Sequence, residues 1–366
     1  MKIIVLVTNN LIQDQKMHRT CTSLKNLGHD VILVGRADKN SLEQLPLPFQ
    51  TIRLPFKFQT GIIFYASVIW KYFWLLRAQK PDIVWSVDVD TIVPAITYKK
   101  IWGCKVIFDA HEYFHEVPEL LHRPFKKWIW KMVARIYIPK ADMHVTVSNT
   151  LSGIFENLYG KPFTVIWNVP YAQKKEVRVS SPKSKYIIYQ GMLNKGRGLE
   201  VLIDAMPNIQ ELELWIVGEG DLSSELRQKT NASRAKDRIK FLGWMLPEDL
   251  RTITSGAYLG VNLLDGESLS YQYSMANKFF DYLQAGVPSV NMDFVEYRDF
   301  LDHYPVGLTL SKLEKNDIAE VINRVVEDKE FYNKLKSTAE RVSSQFSWEN
   351  EEKKIGDLLK SITKCA

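Results

Sequence analysis

Several things are scarce in this 366-residue chain, and each scarcity removes a class of explanation. There are three cysteines, Cys21, Cys104 and Cys365, odd in number and far apart. They form neither a disulfide framework nor a metal-ligand spacing, which points to a reducing, cytoplasmic compartment. No apolar run reaches the ~20 residues that cross a bilayer. The strongest candidate, GIIFYASVIWKYFWLL at 61–76, is too short, and Lys71 interrupts it. The opening MKIIVLVTNN has too brief an apolar run for a secretory signal and reads as a first buried strand. Charge of one sign is also lacking: a formal net charge of +6 gives no reason to expect nucleic acid. No internal repeat, low-complexity tract, dinucleotide fingerprint or P-loop is present.

What the chain does have is the 46% apolar content of a soluble globular protein and enough length for two domains. Short apolar runs alternate with helical stretches. The first half reads as strands at 2–8, 30–35, 82–87, 105–110, 143–148 and 163–168, the second at 185–191, 212–218, 239–243, 258–264 and 288–292. Near-continuous apolar strands separated by helices signal parallel sheets covered on both faces. AQKKEVRVSSPKSK at 172–185 is polar and charged and reads as a linker. The expectation is α/β, with two Rossmann-like, doubly wound domains facing a cleft, and ligands bound beyond the carboxyl ends of the strands.

The loops after those strands hold the candidates. In YQGMLNKGRGLEVLIDA (189–205), Gly191, Gly196 and Gly198 surround Lys195 and Arg197 before a helix. Glycines and a cation at a helix start suit a phosphate, although a glycine-punctuated turn with a solvated basic pair fits equally. In ANKFFDYLQAG (276–286), Asn277 and Lys278 open a helix, and Asp281 shares a face with Lys278 at i, i+3. That pairing reads either as an anion site beside a carboxylate able to hold a ribose diol, or as an exposed Lys–Asp pair. DAHEYFHE (109–116) crowds Asp109, His111, Glu112, His115 and Glu116 at a strand end. His111 is the better candidate there and His115 a helix-surface residue, since the spacing fits no standard metal site. Asp88 and Asp90 in SVDVDT read as helix caps. Gly218 and Gly220 in VGEGD either make room for a ligand or close a turn. Trp244 either covers a base or packs between domains. Finally, 56–80 and 123–140 are aromatic, basic and helical in pattern. They suit either helices packed on the sheet or helices lying on an anionic membrane.

Together, DAHE at 109–112, WNVP at 167–170, the 189–205 segment, WIVGEGD, IKFLGWMLPEDL and ANKFFDYLQAGVPSV resemble family 4 of the GT-B glycosyltransferases over nearly the whole chain. The resemblance implies a retaining enzyme that takes a sugar from a nucleotide-sugar donor held mainly by the second domain. The implied boundaries are 1–170 for an acceptor-side domain and 171–345 for a donor domain, with a C-terminal helix at 346–366 returning to the first. Asp281 falls at the ribose-binding glutamate of the family motif, and Tyr273 stands at its other glutamate. Met192 and Arg197 stand at the diphosphate clamp, where Lys278 or Lys195 would supply a second charge. His111 matches the histidine near the donor sugar. Gly191, Gly196, Gly218, Trp244 and Asn277 complete the donor side, and Asn10, Arg19 and Glu112 are assigned to the acceptor side.

The implied reaction needs no metal and no cofactor, because cations and amides would stabilise the departing diphosphate. The acceptor would be a saccharide or a lipid-linked saccharide, with peripheral contact at the inner face of the cell membrane, in polysaccharide assembly. A GT-B sugar-nucleotide epimerase and a catalytically silent nucleotide-binding scaffold are the alternatives.

Overall fold

The computed structural model describes residues 1–11, 14–37, 47–172 and 184–364. Most of the segment read as a linker, and Cys365, lie outside the described residues. The chain divides into two compact units, Met1–Asn168 with Glu349–Ala366, and Val169–Trp348.

The first unit runs β1 (Lys2–Leu6), α1 (Gln15–Asn26), β2 (Asp30–Arg36), β3 (Gln50–Leu54), α2 (Ile62–Gln79), β4 (Ile83–Val87), α3 (Asp88–Trp102), β5 (Lys105–Ala110), α4 (Pro124–Tyr137), β6 (Met143–Thr146), α5 (Asn149–Tyr159) and β7 (Thr164–Val165). Its sheet is parallel, in the order β3-β2-β1-β4-β5-β6-β7. The second unit runs β8 (Tyr186–Gln190), α6 (Leu199–Ala205), β9 (Glu213–Val217), α7 (Ser223–Ala232), β10 (Ile239–Gly243), α8 (Pro247–Gly256), β11 (Leu259–Asn262), α9 (Leu269–Gln272), α10 (Asn277–Gln284), β12 (Ser289–Met292), α11 (Val295–His303), β13 (Gly307–Leu310), α12 (Lys315–Glu327) and α13 (Lys329–Val342). Its parallel sheet has the order β10-β9-β8-β11-β12-β13. The last helix, α14 (Trp348–Lys364), docks on the first unit, where Glu351 accepts from the Trp167 amide and Lys354 donates to the Val165 carbonyl.

Chain order reverses direction between β1 and β4 in one sheet and between β8 and β11 in the other. At such a switch point the loops leave to opposite faces and open a crevice at the strands' carboxyl ends. The central strands owe their place to composition: β1 is buried almost throughout and β8 wholly so. Two strands were not expected from sequence, β3 and β13. Both lie at sheet edges and are only partly buried, so neither needs a continuous apolar run. Among the described residues no helix is long and apolar enough to cross a membrane.

Candidate functional site

At the switch point of the second unit, the loops after β8, β9 and β11 are locked together through glycines. Gly191 has φ +133° and Gly218 φ +130°, conformations that L side chains rarely adopt. A Cβ on Gly218 would lie 2.0 Å from the Gly191 carbonyl oxygen. A Cβ on Gly220 would lie 2.4 Å from Asn194 Oδ1. Gly191 donates to the Val217 carbonyl at 3.0 Å, and Leu193 donates to that of Glu219 at 3.2 Å. Gly218 and Gly220 therefore serve the close approach of the two loops. On the other side, Asp265 in the loop after β11 donates its amide to the Gly196 carbonyl at 3.0 Å.

Lys278, in the first turn of α10, reaches into this constellation. It is 7% exposed, so the reading of it as half of a solvated surface pair fails. Its Nζ sits 3.8 Å above the Tyr189 ring centroid and 3.6 Å from where a Cβ on Gly191 would stand. Among the described residues no carboxylate forms an ion pair with it. Burial, then the Arg197 charge, push its pKa well below the usual lysine range, with Asp281 opposing. An ammonium removed from water without a counter-ion costs several kcal/mol, which the ring face offsets only in part. Arg197 lies with its guanidinium carbon 5.1 Å from the Tyr271 ring centroid, and its Nε is buried without a hydrogen-bond partner. Two cations thus converge beside a glycine loop, an arrangement completed by an anion.

Asp281, one turn on from Lys278, is held from behind. Its Oδ2 accepts from Gln190 Nε2 at 2.8 Å, and Gln190 Oε1 accepts from Thr254 Oγ1 at 2.7 Å. Gln190 and Thr254 are both buried. The helix is fixed by Phe279 and Phe280, each 1% exposed, and by Tyr282, whose hydroxyl lies 3.2 Å from the Ile188 and Val261 carbonyls. Gly260 leaves the room for that ring, since a Cβ there would come within 2.4 Å of it.

The first unit has its own polar centre at the end of β5. Asp109 is fully buried, 2.8 Å from Lys16 Nζ, 3.0 Å from Trp85 Nε1 and 3.3 Å from His111 Nε2. Burial alone would raise its carboxyl, but Lys16 and His111 outweigh that and hold it well below the usual carboxylate range. Asp88 and Asp90 are not caps. Val87 holds the cap position of α3, Asp88 accepts from the His111 amide at 2.9 Å, and Asp90 accepts from Thr8. Burial pushes Asp90 up to about 6, against the Thr8 bond. His115 is not a surface residue: it is 3% exposed in a short 3-10 turn against Tyr113, and burial lowers it to about 4.

The comparisons with known proteins match both units. The model for Glycosyltransferase Family 4 matches residues 17–169, and that for Glycosyl transferases group 1 matches 184–328. The structure superposes on sucrose-phosphate synthase from Thermosynechococcus elongatus with a TM-score of 0.82 over 100% of both chains at 17% identity. The chain belongs to family 4 of the GT-B glycosyltransferases. The similar Anabaena HepE, solved with UDP-glucose, gives a TM-score of 0.78 at 17% identity, covering 99% of this chain and 100% of that one. Among curated relatives, an uncharacterized glycosyltransferase of Methanocaldococcus jannaschii is 24% identical over 48% of this chain, a match that spans 45% of the relative's own length. The Candida glabrata chitobiosyldiphosphodolichol beta-mannosyltransferase is 19% identical over 82% of this chain and 74% of that protein.

In this family 4 chain the structure gathers Gly191, Gly196, Gly218, Arg197, Lys278 and Asp281 around one switch point. Lys195 is in the same loop but exposed, Asn277 is exposed at the start of α10, and Tyr273 is half-buried at the end of α9. Trp244 is 50% exposed beyond β10, on the loop that follows Gly243. His111, Glu112, Asn10 and Arg19 belong to the first unit. Arg19 donates to Asn168, while Asn10 and Glu112 are partly exposed. Sequence reasoning missed Lys16, Gln190 and Thr254. Lys16 sits in an apparently solvated run, and only the fold brings it to Asp109 across the sheet.

Proposed function

We propose that this glycosyltransferase moves a hexosyl group from a nucleotide-sugar donor to a saccharide hydroxyl, with retention at the anomeric carbon and without a metal. The observation that carries this reading is Lys278, a buried amino group over Tyr189 with no carboxylate ion-pair partner among the described residues, beside Arg197, for which an arriving diphosphate is the counter-ion that favours the charged form. The barrier in glycosyl transfer is departure of a diphosphate, and two fixed cations in a water-poor site stabilise the charge that develops there. They supply what a bound divalent ion would otherwise contribute. Asp281, oriented by Gln190, is assigned to the donor ribose, and Tyr273 and Trp244 to the sugar and the base. His111, oriented by Asp109 and Asp88, is assigned to the donor sugar. Asn10, Arg19 and Glu112 are assigned to the acceptor.

The similar HepE carries UDP-glucose, which makes UDP-sugars the first donors to try. The chitobiosyldiphosphodolichol mannosyltransferase makes a lipid-linked saccharide a sensible acceptor class, in glycan or cell-surface polysaccharide assembly at the inner face of the membrane. The test is nucleoside diphosphate release from UDP-, GDP- and dTDP-sugars, with and without saccharide acceptors, in EDTA, with product anomeric configuration read by NMR. Acceptor-dependent release with retained configuration is expected. Acceptor-independent donor rearrangement would indicate an epimerase, and binding without turnover a scaffold.

A further inference from the structure

Helix α2 is apolar on two opposite faces, and only one of them meets the core. Phe64, Val68, Tyr72 and Leu76 form a buried stripe at i, i+4 spacing. Ile62, Ala66, Trp70 and Trp74 form a second stripe on the other side and are exposed, Ile62 at 74% and Trp70 at 65%. Ile62, Ile63, Ala66, Ser67, Trp70 and Lys71 line an open groove there. Helix α4 repeats the pattern, with Phe125 68% exposed and Trp128, Met132 and Ile136 exposed at spacings of three and four. The two helices touch edge to face through Tyr65 and Trp130, ring centroids 4.7 Å apart. A water-facing helix surface has no use for three or four large apolar groups in line, so this surface points to an occupant.

The charges say which. Residues 55–80 and 123–140 contain ten lysines and arginines and no aspartate or glutamate, in a chain with 42 acidic residues. Lys127 is paired with Glu116, and Arg77 lies over the Trp74 ring. Arg123, Lys126, Arg135 and Lys140 are exposed beside the apolar stripe of α4. Tryptophan with apolar side chains, rimmed by cations alone, matches the head-group layer of an anionic bilayer, where indoles settle at the interface and long basic side chains reach the phosphates. We propose that the α2–α4 surface seats this protein on an anionic membrane, lying on it without crossing it. The surface is independent of the donor site, so its failure would leave the glycosyl-transfer reading untouched.

Vesicle flotation tests this with the full chain, using phosphatidylcholine vesicles with and without phosphatidylglycerol. The wild type is expected to float with the anionic vesicles, to release on raising salt, and to shift its indole emission to the blue. W70S/W74S and, separately, K126E/R135E are expected to lower the floated fraction several-fold while binding UDP as the wild type does. No flotation on anionic vesicles, or equal flotation of both variants, would overturn the proposal. It would equally be overturned if the wild type were a dimer that W70S/W74S converts to monomer without any lipid dependence, since the surface would then be an interface between copies.

Discussion

Replacing Gly218 with alanine probes the locked loops at the switch point of the second unit with a perturbation of one methyl group. Its Cβ would stand 2.0 Å from the Gly191 oxygen and 2.9 Å from the Gly191 carbonyl carbon. The first is well over 1 Å inside the ~3.5 Å at which such contacts become favourable, and the second about 0.6 Å inside it. Neither strand end can retreat easily, because Gly191 donates to Val217 and Gly218 donates to Gly243 at 2.8 Å. At φ +130° the alanine also meets backbone strain. About 1–2 kcal/mol of strain and a similar amount of overpacking sum to a loss of about 3 kcal/mol. Urea unfolding reads it, with separate transitions for the two units allowed for. Gly153→Ala in α5 is the control: a Cβ there meets nothing within 4 Å, and the helix should gain about 0.5–1 kcal/mol. If Gly218→Ala unfolds within ~0.5 kcal/mol of the wild type, the interlock as described is wrong.

Three further outcomes follow from the same geometry. Asp109→Asn leaves Lys16, 3% exposed, buried without its carboxylate and should cost the first unit about 3–5 kcal/mol in urea unfolding. His115 is held near 4 in the fold against about 6.5 unfolded, so its neutral form favours the native state above 6.5. That contribution, about 2–3 kcal/mol, is lost as pH falls from 6.5 through 4, and His115→Gln should flatten the pH dependence of melting over this window. Gln190→Leu removes the bond that aims Asp281 while Thr254 keeps the Leu250 carbonyl at 2.7 Å, and nucleotide affinity by calorimetry should fall ~10-fold with little change in melting.

The two-sheet architecture was legible because central parallel strands must be apolar on both faces, and β1 and β8 are. The strands β3 and β13 escaped because edge position relaxes that demand: QTIRL and GLTL carry polar or small residues where only partial burial is required. At the proposed donor site, the sequence brought Lys278 and Asp281 forward by helical spacing but left their state open, as a surface pair or an anion site. Burial of Lys278 against Tyr189 excludes the exposed pair, and burial is a property of the neighbours, not of the spacing. His115 was misplaced for the opposite reason. A histidine in a short polar run looks solvated until a 3-10 turn folds it against Tyr113. Lys16 and Thr254 were invisible because their partners lie 93 and 64 residues away, joined only by the parallel crossovers.

The central claim is that Lys278 is buried at a cost to the fold in order to hold the donor's diphosphate. Thermal unfolding of the wild type and Lys278→Met, each with and without saturating UDP, tests it in one experiment. Methionine keeps the length and apolar bulk over Tyr189 but removes the uncompensated charge. The account predicts that the free variant melts higher than the free wild type, and that UDP raises the wild-type transition but barely moves the variant, reflecting at least ~10-fold weaker binding. A variant that melts lower than the wild type yet keeps the full UDP-induced shift would contradict it.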